Sequence, residues 1–440
     1  MSNAGPVQST GRISSLDIVR GFALLGILLM NIVGFGLFHA YDNPTNAGGA
    51  TGINLGVWVV MHILAEGKMR CLFSMVFGAG VVLLTARHEE RHGPGSSADI
   101  FYRRNLWLLL FGLLHAYLLW QGEILYPYAL CALALYAFRG MAPRRLLTIG
   151  AAMMVVMMAM SVYVGRETGQ TIDKGKAAIA LEKSGATLTD DQKEAKDKWE
   201  TMRKQLQPTS AEVEKANRRW RGSLWDVLKI RAESVYQWHA LPYFHYSNLD
   251  LFSMMFIGMG LFKLGVFSGE RTSRFYAFMM LAGYAIGLSL NSYTAFTRVS
   301  ANFDPVVSAY SGITYDIGRL SIALAHVAVI MLLCKAGRLM WLLNPLAAIG
   351  QTALSNYLFH SVVCPTLFCG YGFALYGRLQ RYELYYIVAA LWIFQMIVSP
   401  IWLRHFQFGP AEWVWRSLTY WKKQPMRKQA SRPALEAQTA

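Results

Sequence analysis

Several polar side chains in this 440-residue chain stand where hydrocarbon is expected, and their types and spacing suggest chemistry. His115 and Glu123 flank Trp120 in LLHAYLLWQGE. Imidazole titrates near neutral pH, so a histidine beside a carboxylate suits a proton relay or a catalytic base; a clamp on the turn at Glu123 is the competing reading. Asn31 lies deep in the first apolar stretch, LDIVRGFALLGILLMNIVGFGLFH, and His39 ends it. Their spacing amounts to about 12 Å of helix, so the two line one cavity only if the chain unwinds or folds back near Gly34 and Gly36. Asn356 and His360, four apart in LSNYLFH, share a helix face and either complete a substrate pocket or bond neighbouring helices. His326 is a lone histidine in an apolar span and reads as a core residue.

Cations form a second set. Lys68 and Arg70, with Glu66 and Gly67, interrupt an apolar run near its middle, while Arg20, Arg103 and Arg104 stand nearer the span ends. Cations in a low dielectric hold phosphate strongly, which makes all five candidates for a phosphorylated ligand. Arg103 and Arg104 also suit plain anchors at the cytoplasmic face, and Arg20 sits three residues after Asp17 on the same face, where the two can pair. No glycine-rich loop of the P-loop or dinucleotide type is present. Cys71, Cys131, Cys334, Cys364 and Cys369 fall in apolar spans without metal-ligand spacing, so buried thiols are expected and no metal.

The elements that must carry these groups are membrane helices. The chain is 54% hydrophobic and 15% charged, and apolar runs of spanning length recur along it. Its formal charge of +16 sits mainly in the connections and the tail, a positive-inside pattern rather than a nucleic-acid surface. The expected fold is all-α and polytopic, with about ten spans and both termini cytoplasmic. Residues 1–165 form a first membrane half, 166–235 a polar helical loop outside the cytoplasm, 236–405 a second membrane half and 406–440 a basic tail. The second span is expected to be broken at Glu66–Arg70, and the ninth, Leu346 to Tyr376, near Pro365.

The segments LDIVRGFALLGILLMNI, KMRCLFSMVFGAG, GLLHAYLLWQGEIL, GQTALSNYLFHSVV and FGPAEWVWRSLTY, in that order, resemble the YeiB family, bacterial inner-membrane proteins bearing domain of unknown function 418. Glu123 stands where that family usually has Asp, and His360 also departs from its usual residue. The opening helix and loop are similar to those of transmembrane acyltransferases typified by heparan-alpha-glucosaminide N-acetyltransferase. That resemblance implies an acetyl or other acyl group passed from cytoplasmic acyl-CoA to a glycan or small acceptor on the far side. It places the catalytic asparagine at Asn31 and the catalytic histidine at His39, with His62 as the nearest substitute, while His115 with Glu123 stands beside them as a second polar knot read from the residues alone. Coenzyme A phosphates would then meet Arg20, Lys68, Arg70, Arg103 and Arg104, and the acceptor would meet Trp120, Asn356 and His360. A proton-coupled transporter using the same groups as a solute path is the alternative, and a noncatalytic scaffold is a third. Membrane lipids are expected partners, nucleic acid is not, and a homodimer is compatible with the sequence.

Overall fold

A computed structural model describes residues 14–240 and 242–428, with no side-chain placement for 240–247. Residues 429–440 of the expected tail lie outside this range. The fold is all-α and polytopic, and there is no β-strand among the described residues. Six helical stretches are long and apolar enough to cross a membrane: 14–36, 52–92, 143–183, 273–300, 312–336 and 381–405. The remaining expected spans fall on helices that are shorter, broken or charged near their start. These are α4 (Ala98–Leu118), α5 (Leu125–Leu135), α10 (Pro242–Lys263) and the pair α14 (Met340–Gln351) and α15 (Ala353–Phe368).

The central element is α1 (Ser14–Gly36), which is buried along most of its length. It packs against α3 (Lys68–His92), α13 (Gly312–Ala336), α14, α15 and α16 (Arg381–His405). Glycines let backbones approach closely where hydrocarbon chains alone give little driving force for helix contact. A Cβ on Gly21 would sit 2.0 Å from the Leu346 carbonyl oxygen, and one on Gly350 would sit 1.9 Å from that of Asp17. Neither glycine can carry a side chain without separating α1 from α14.

The second span breaks where the sequence indicates. Between α2 (Gly52–Leu64) and α3 the chain passes through Gly67 at φ 69°, a left-handed conformation that favours glycine. The ninth span breaks elsewhere than expected: Pro365 stays inside α15, and the interruption falls at Thr352. The cause is local. Gly350 is pressed onto the α1 backbone, and the Glu412 carboxylate on α17 (Pro410–Tyr420) accepts the Leu354 amide at 2.6 Å and the Ser355 amide at 3.2 Å, so a new helix starts there.

The polar insert is not separated from the membrane part by a loop. α6 (Pro143–Lys183) runs through residue 165 without interruption; its length of about 60 Å at 1.5 Å per residue exceeds the hydrocarbon thickness. It pairs with α7 (Asp190–Leu206) by packing Gly175 against Trp199. The chain returns through α8 (Ser210–Trp220) and α9 (Leu224–Ala240). Trp220 stacks on Tyr376 at 5.3 Å and its carbonyl accepts the Gly370 amide at 3.0 Å, while Asn46 donates to the Leu206 carbonyl at 3.1 Å. The insert therefore seats on the loops that close the bundle beyond α1 and α15.

Candidate functional site

Two ends of the bundle are chemically distinct, one marked by histidines and one by arginines. At the histidine end, the last turn of α4 carries His115, 1% exposed at its side chain, and the following turn carries Trp120 and Glu123. The Glu123 carboxylate accepts the amides of Leu125 and, at 2.8 Å, Tyr126, so it satisfies the open N-terminus of α5. Its Oε1 lies 3.8 Å from His115 Nδ1. Among the described residues, neither ring nitrogen of His115 makes a hydrogen bond, nor does Trp120 Nε1. Buried polar atoms are rarely left in this state, because an unmet donor or acceptor costs about 1–3 kcal/mol. Tyr357 of α15 covers the imidazole with ring centroids 5.0 Å apart, and Phe35 of α1 covers Trp120 at 4.2 Å.

Asn31 belongs to the same neighbourhood by its helix face. It precedes Gly34 by one turn, and Gly34 faces Trp120. Asn31 is half-buried, and its side chain makes no hydrogen bond among the described residues. His39 lies beyond the end of α1 at φ 46°, exposed, with its carbonyl accepting Asn46 at 2.8 Å. The chain does turn back there, three residues past Gly36, but no hydrogen bond joins His39 to Asn31 among the described residues.

Arg231 is a component that the sequence did not single out. It lies on α9 of the polar insert, is 1% exposed, and donates to the Leu118 carbonyl at 2.8 Å and the Tyr371 hydroxyl at 3.1 Å. A cation is favoured at the carbonyl end of a helix, and α4 ends at Leu118. The guanidinium thus fixes the end of the helix that presents His115. An arginine within a lysine- and glutamate-rich stretch reads as solvated, which is why composition hid it.

At the α2–α3 break the buried charges pair with one another. Lys68, with no exposed surface, donates to the His62 carbonyl at 2.5 Å. The His62 ring bonds Glu66 through Nδ1 and Thr294 Oγ1 at 3.0 Å through Nε2. Arg70 reaches Asp250 of α10 at 2.7 Å, and Arg319 of α13 binds the same carboxylate through both terminal nitrogens, one at 2.9 Å. Asp316 stands 2.8 Å from Arg319. The Arg70 side chain remains 38% exposed beside this network, so the site is open on one side. His62, Asp250, Thr294, Asp316 and Arg319 complete the cluster; the intramembrane charges Asp250, Asp316 and Arg319 are the signal from which a sequence search could have found them.

At the opposite end Arg20 pairs with Asp17 at 2.6 Å. Arg103 bonds Asp99 and, at 3.1 Å, the Thr419 carbonyl. The Arg104 guanidinium stacks on Trp415 at 3.7 Å and lies within electrostatic reach of Arg416, Arg20 and Glu412. The five cations picked from the sequence therefore divide: Arg20, Arg103 and Arg104 belong to this end, and Lys68 and Arg70 belong to the α2–α3 network.

The similarity of this chain to known proteins extends over its whole length. It is 27% identical to an uncharacterized protein, YxaH, of Bacillus subtilis (strain 168), over 97% of this chain and 99% of that one. It is 28% identical to the uncharacterized protein YeiB of Escherichia coli (strain K12), over 95% and 99%. An uncharacterized 39.9 kDa protein in the amylase 3' region of Bacillus acidopullulyticus is 26% identical over 96% and 97%. The family described as "Protein of unknown function (DUF418)" matches residues 261–422. The match to the DUF418 model and the near full-length similarity to YeiB and YxaH support assignment to that family.

The matched DUF418 segment runs from the end of α10 through α17. It contains Arg319, Tyr357 and the arginine-end residues Trp415 and Arg416, whereas His115, Glu123 and Lys68 precede it. It also contains Asn356 and His360, whose polar atoms are engaged in the contact between α15 and α16. Asn356 Nδ2 donates to the Thr352 hydroxyl at 2.8 Å and to Ser399 at 3.2 Å, His360 Nε2 meets Gln395 Oε1 at 2.9 Å, and Gln395 Nε2 donates to Asn356 Oδ1 at 3.0 Å. In this protein the pair joins two helices, and neither residue meets the His115–Glu123 group through a hydrogen bond among the described residues.

Proposed function

We propose that this protein is an integral membrane acyltransferase of the bacterial inner membrane. It takes an acyl group, acetyl foremost, from acyl-CoA at the arginine end and passes it to a glycan or small acceptor at the histidine end. The observation that carries this reading is His115: a buried imidazole with both nitrogens unbonded among the described residues, 3.8 Å from a carboxylate, in an all-α membrane protein. A base needs an empty ring nitrogen to take a proton from the acceptor hydroxyl or amine, and Glu123 is near enough to stabilise the imidazolium that results. The acceptor oxygen or nitrogen then attacks the thioester carbonyl, the carbon–sulfur bond breaks, and CoA leaves as thiolate. Trp120 Nε1 and the Asn31 amide are the donors that would stabilise the oxyanion. His39, at the mouth of the same end, meets the incoming acceptor. Arg20, Arg103, Arg104 and Arg416 receive the CoA phosphates, while Lys68 and Arg70 act through the inner network.

Purified protein is expected to carry CoA or acyl-CoA, detectable by mass spectrometry, and to transfer a labelled acetyl group. Replacing Arg104 with alanine removes a charge-assisted contact of about 1.5–3 kcal/mol and should weaken CoA binding about tenfold or more. Unchanged affinity in a variant of wild-type thermal stability would remove Arg104 from the site.

This reading fixes an orientation, with both termini cytoplasmic and the polar insert periplasmic. A reporter fused near Gly185 is expected outside and one after Pro425 inside. Cytoplasmic labelling near Gly185 would reverse the two ends and overturn the assignment.

The half-exposed Arg70 beside the buried ion pairs favours a second reading, a proton-coupled transporter. Transport predicts solute counterflow in liposomes with no covalent change, which acyl transfer does not.

A further inference from the structure

We infer that His239, on the last turn of α9 in the polar insert, carries protons between the buried Glu123 carboxylate and the solvent. The inference rests on the proposed role of His115 and Glu123, and adds a residue from a different part of the chain. A small cavity of about 10 Å³ lies between α9 and the α4–α5 turn, lined by Gln121, Glu123 and His239 together with Ala116 and Val235. That volume is about the size of one water, and a buried water needs two to four polar partners. The cavity supplies them: the Glu123 carboxylate, the His239 ring and the Gln121 side-chain oxygen, which makes no hydrogen bond among the described residues.

The geometry orders the groups. His115 Nδ1 is 3.8 Å from Glu123, Glu123 lines the cavity, and half-buried His239 also lines it while stacking on Tyr126 at 5.0 Å. Tyr126 is itself held by Glu123 through its amide at 2.8 Å, so the ring against His239 is fixed to the carboxylate it serves. The charged and titratable groups around the path are His115 of α4, Glu123 of the turn, Tyr126 of α5, Tyr357 of α15, which covers the His115 ring, and Arg231 of α9, which lies within electrostatic reach of His115. Arg231 repels a second cation nearby, so a proton taken at His115 must move on.

The proton balance calls for such an exit. The acceptor loses one proton to His115 for each acyl group transferred, while CoA withdraws as thiolate toward the arginine end and takes its proton from the cytoplasmic solvent there. The proton on His115 therefore leaves at its own end, through Glu123, the cavity water and His239, and the base is ready for the next acceptor.

The test uses the full-length protein in lipid nanodiscs with two variants. His239→Gln removes the titrating ring, and Val235→Leu fills the cavity while leaving His239 in place. The first readout needs no turnover: at a pH low enough to protonate Glu123, the infrared band of its carboxyl, assigned by its loss in Glu123→Gln, is followed after a jump into heavy water. Exchange is expected to slow about tenfold or more in both variants, in line with the loss of a positioned proton carrier. The second readout is transfer, where kcat should fall with KM for acetyl-CoA unchanged, and added imidazole should restore kcat in His239→Gln but not in Val235→Leu. Wild-type exchange rates in both variants would overturn the relay. Absence of transfer in the wild type, with exchange slowed in the variants, would instead sink the acyltransferase reading and leave the relay standing.

Discussion

His115→Gln is expected to lower acetyl transfer by about 100-fold or more while CoA still binds, because glutamine keeps a hydrogen-bonding side chain of similar reach but has no basic nitrogen. The structure makes this a clean substitution. The His115 ring has no hydrogen bond to lose among the described residues, so its replacement removes chemistry before it removes stability. The readout is kcat with labelled acetyl-CoA alongside thermal unfolding of the same sample. His39→Gln provides the contrast: this residue is exposed beyond the end of α1, and it is the backbone carbonyl that accepts the Asn46 amide. If the His39 variant loses transfer and the His115 variant keeps it, the base lies in the loop after α1 and His115 is not the base. If both retain full activity, neither imidazole takes the proton.

What could be read from the sequence follows from what is local. The Asp17–Arg20 pair was legible because three-residue spacing puts both on one helix face, and it forms at 2.6 Å. The break at Glu66–Gly67 was legible because charges and a glycine interrupt an apolar run, and the backbone there adopts the left-handed conformation. Partners across helices were not. Periodicity shows that Lys68 and Arg70 are deep, but not that Asp250 and Arg319 face them from α10 and α13. Proline chemistry pointed to a break at Pro365, yet the break falls at Thr352, where a glycine contact with α1 and a glutamate from α17 act together. The insert hid Arg231 for a related reason. Most of its charges do face solvent, and only the packed structure separates this one from them.

Asp250→Ala is the substitution expected to destabilise the protein most. The Asp250 carboxylate, 4% exposed, binds Arg319 through both terminal nitrogens and Arg70 at 2.7 Å, tying α10 to α13 and α3. Removing it takes from both guanidinium groups the carboxylate they share and leaves buried Arg319 beside Asp316. Breaking a buried pair by deleting one partner costs about 3–5 kcal/mol, since a desolvated charge is left uncompensated. The loss should appear as a lower midpoint of thermal unfolding in detergent and lower yield from membranes. Two comparisons separate charge from packing. Asp250→Asn keeps the shape and one oxygen acceptor but removes the carboxylate's charge, so it should fall between wild type and alanine. Arg70→Ala removes the half-exposed cation and leaves the Asp250–Arg319 pair whole, so it should cost far less. Equal losses from Asp250→Ala and Arg70→Ala would mean that the exposed guanidinium, not the buried pair, holds the three helices. An unchanged midpoint in Asp250→Ala would mean that water reaches the network and screens it, which is the condition a solute path through the α2–α3 break requires.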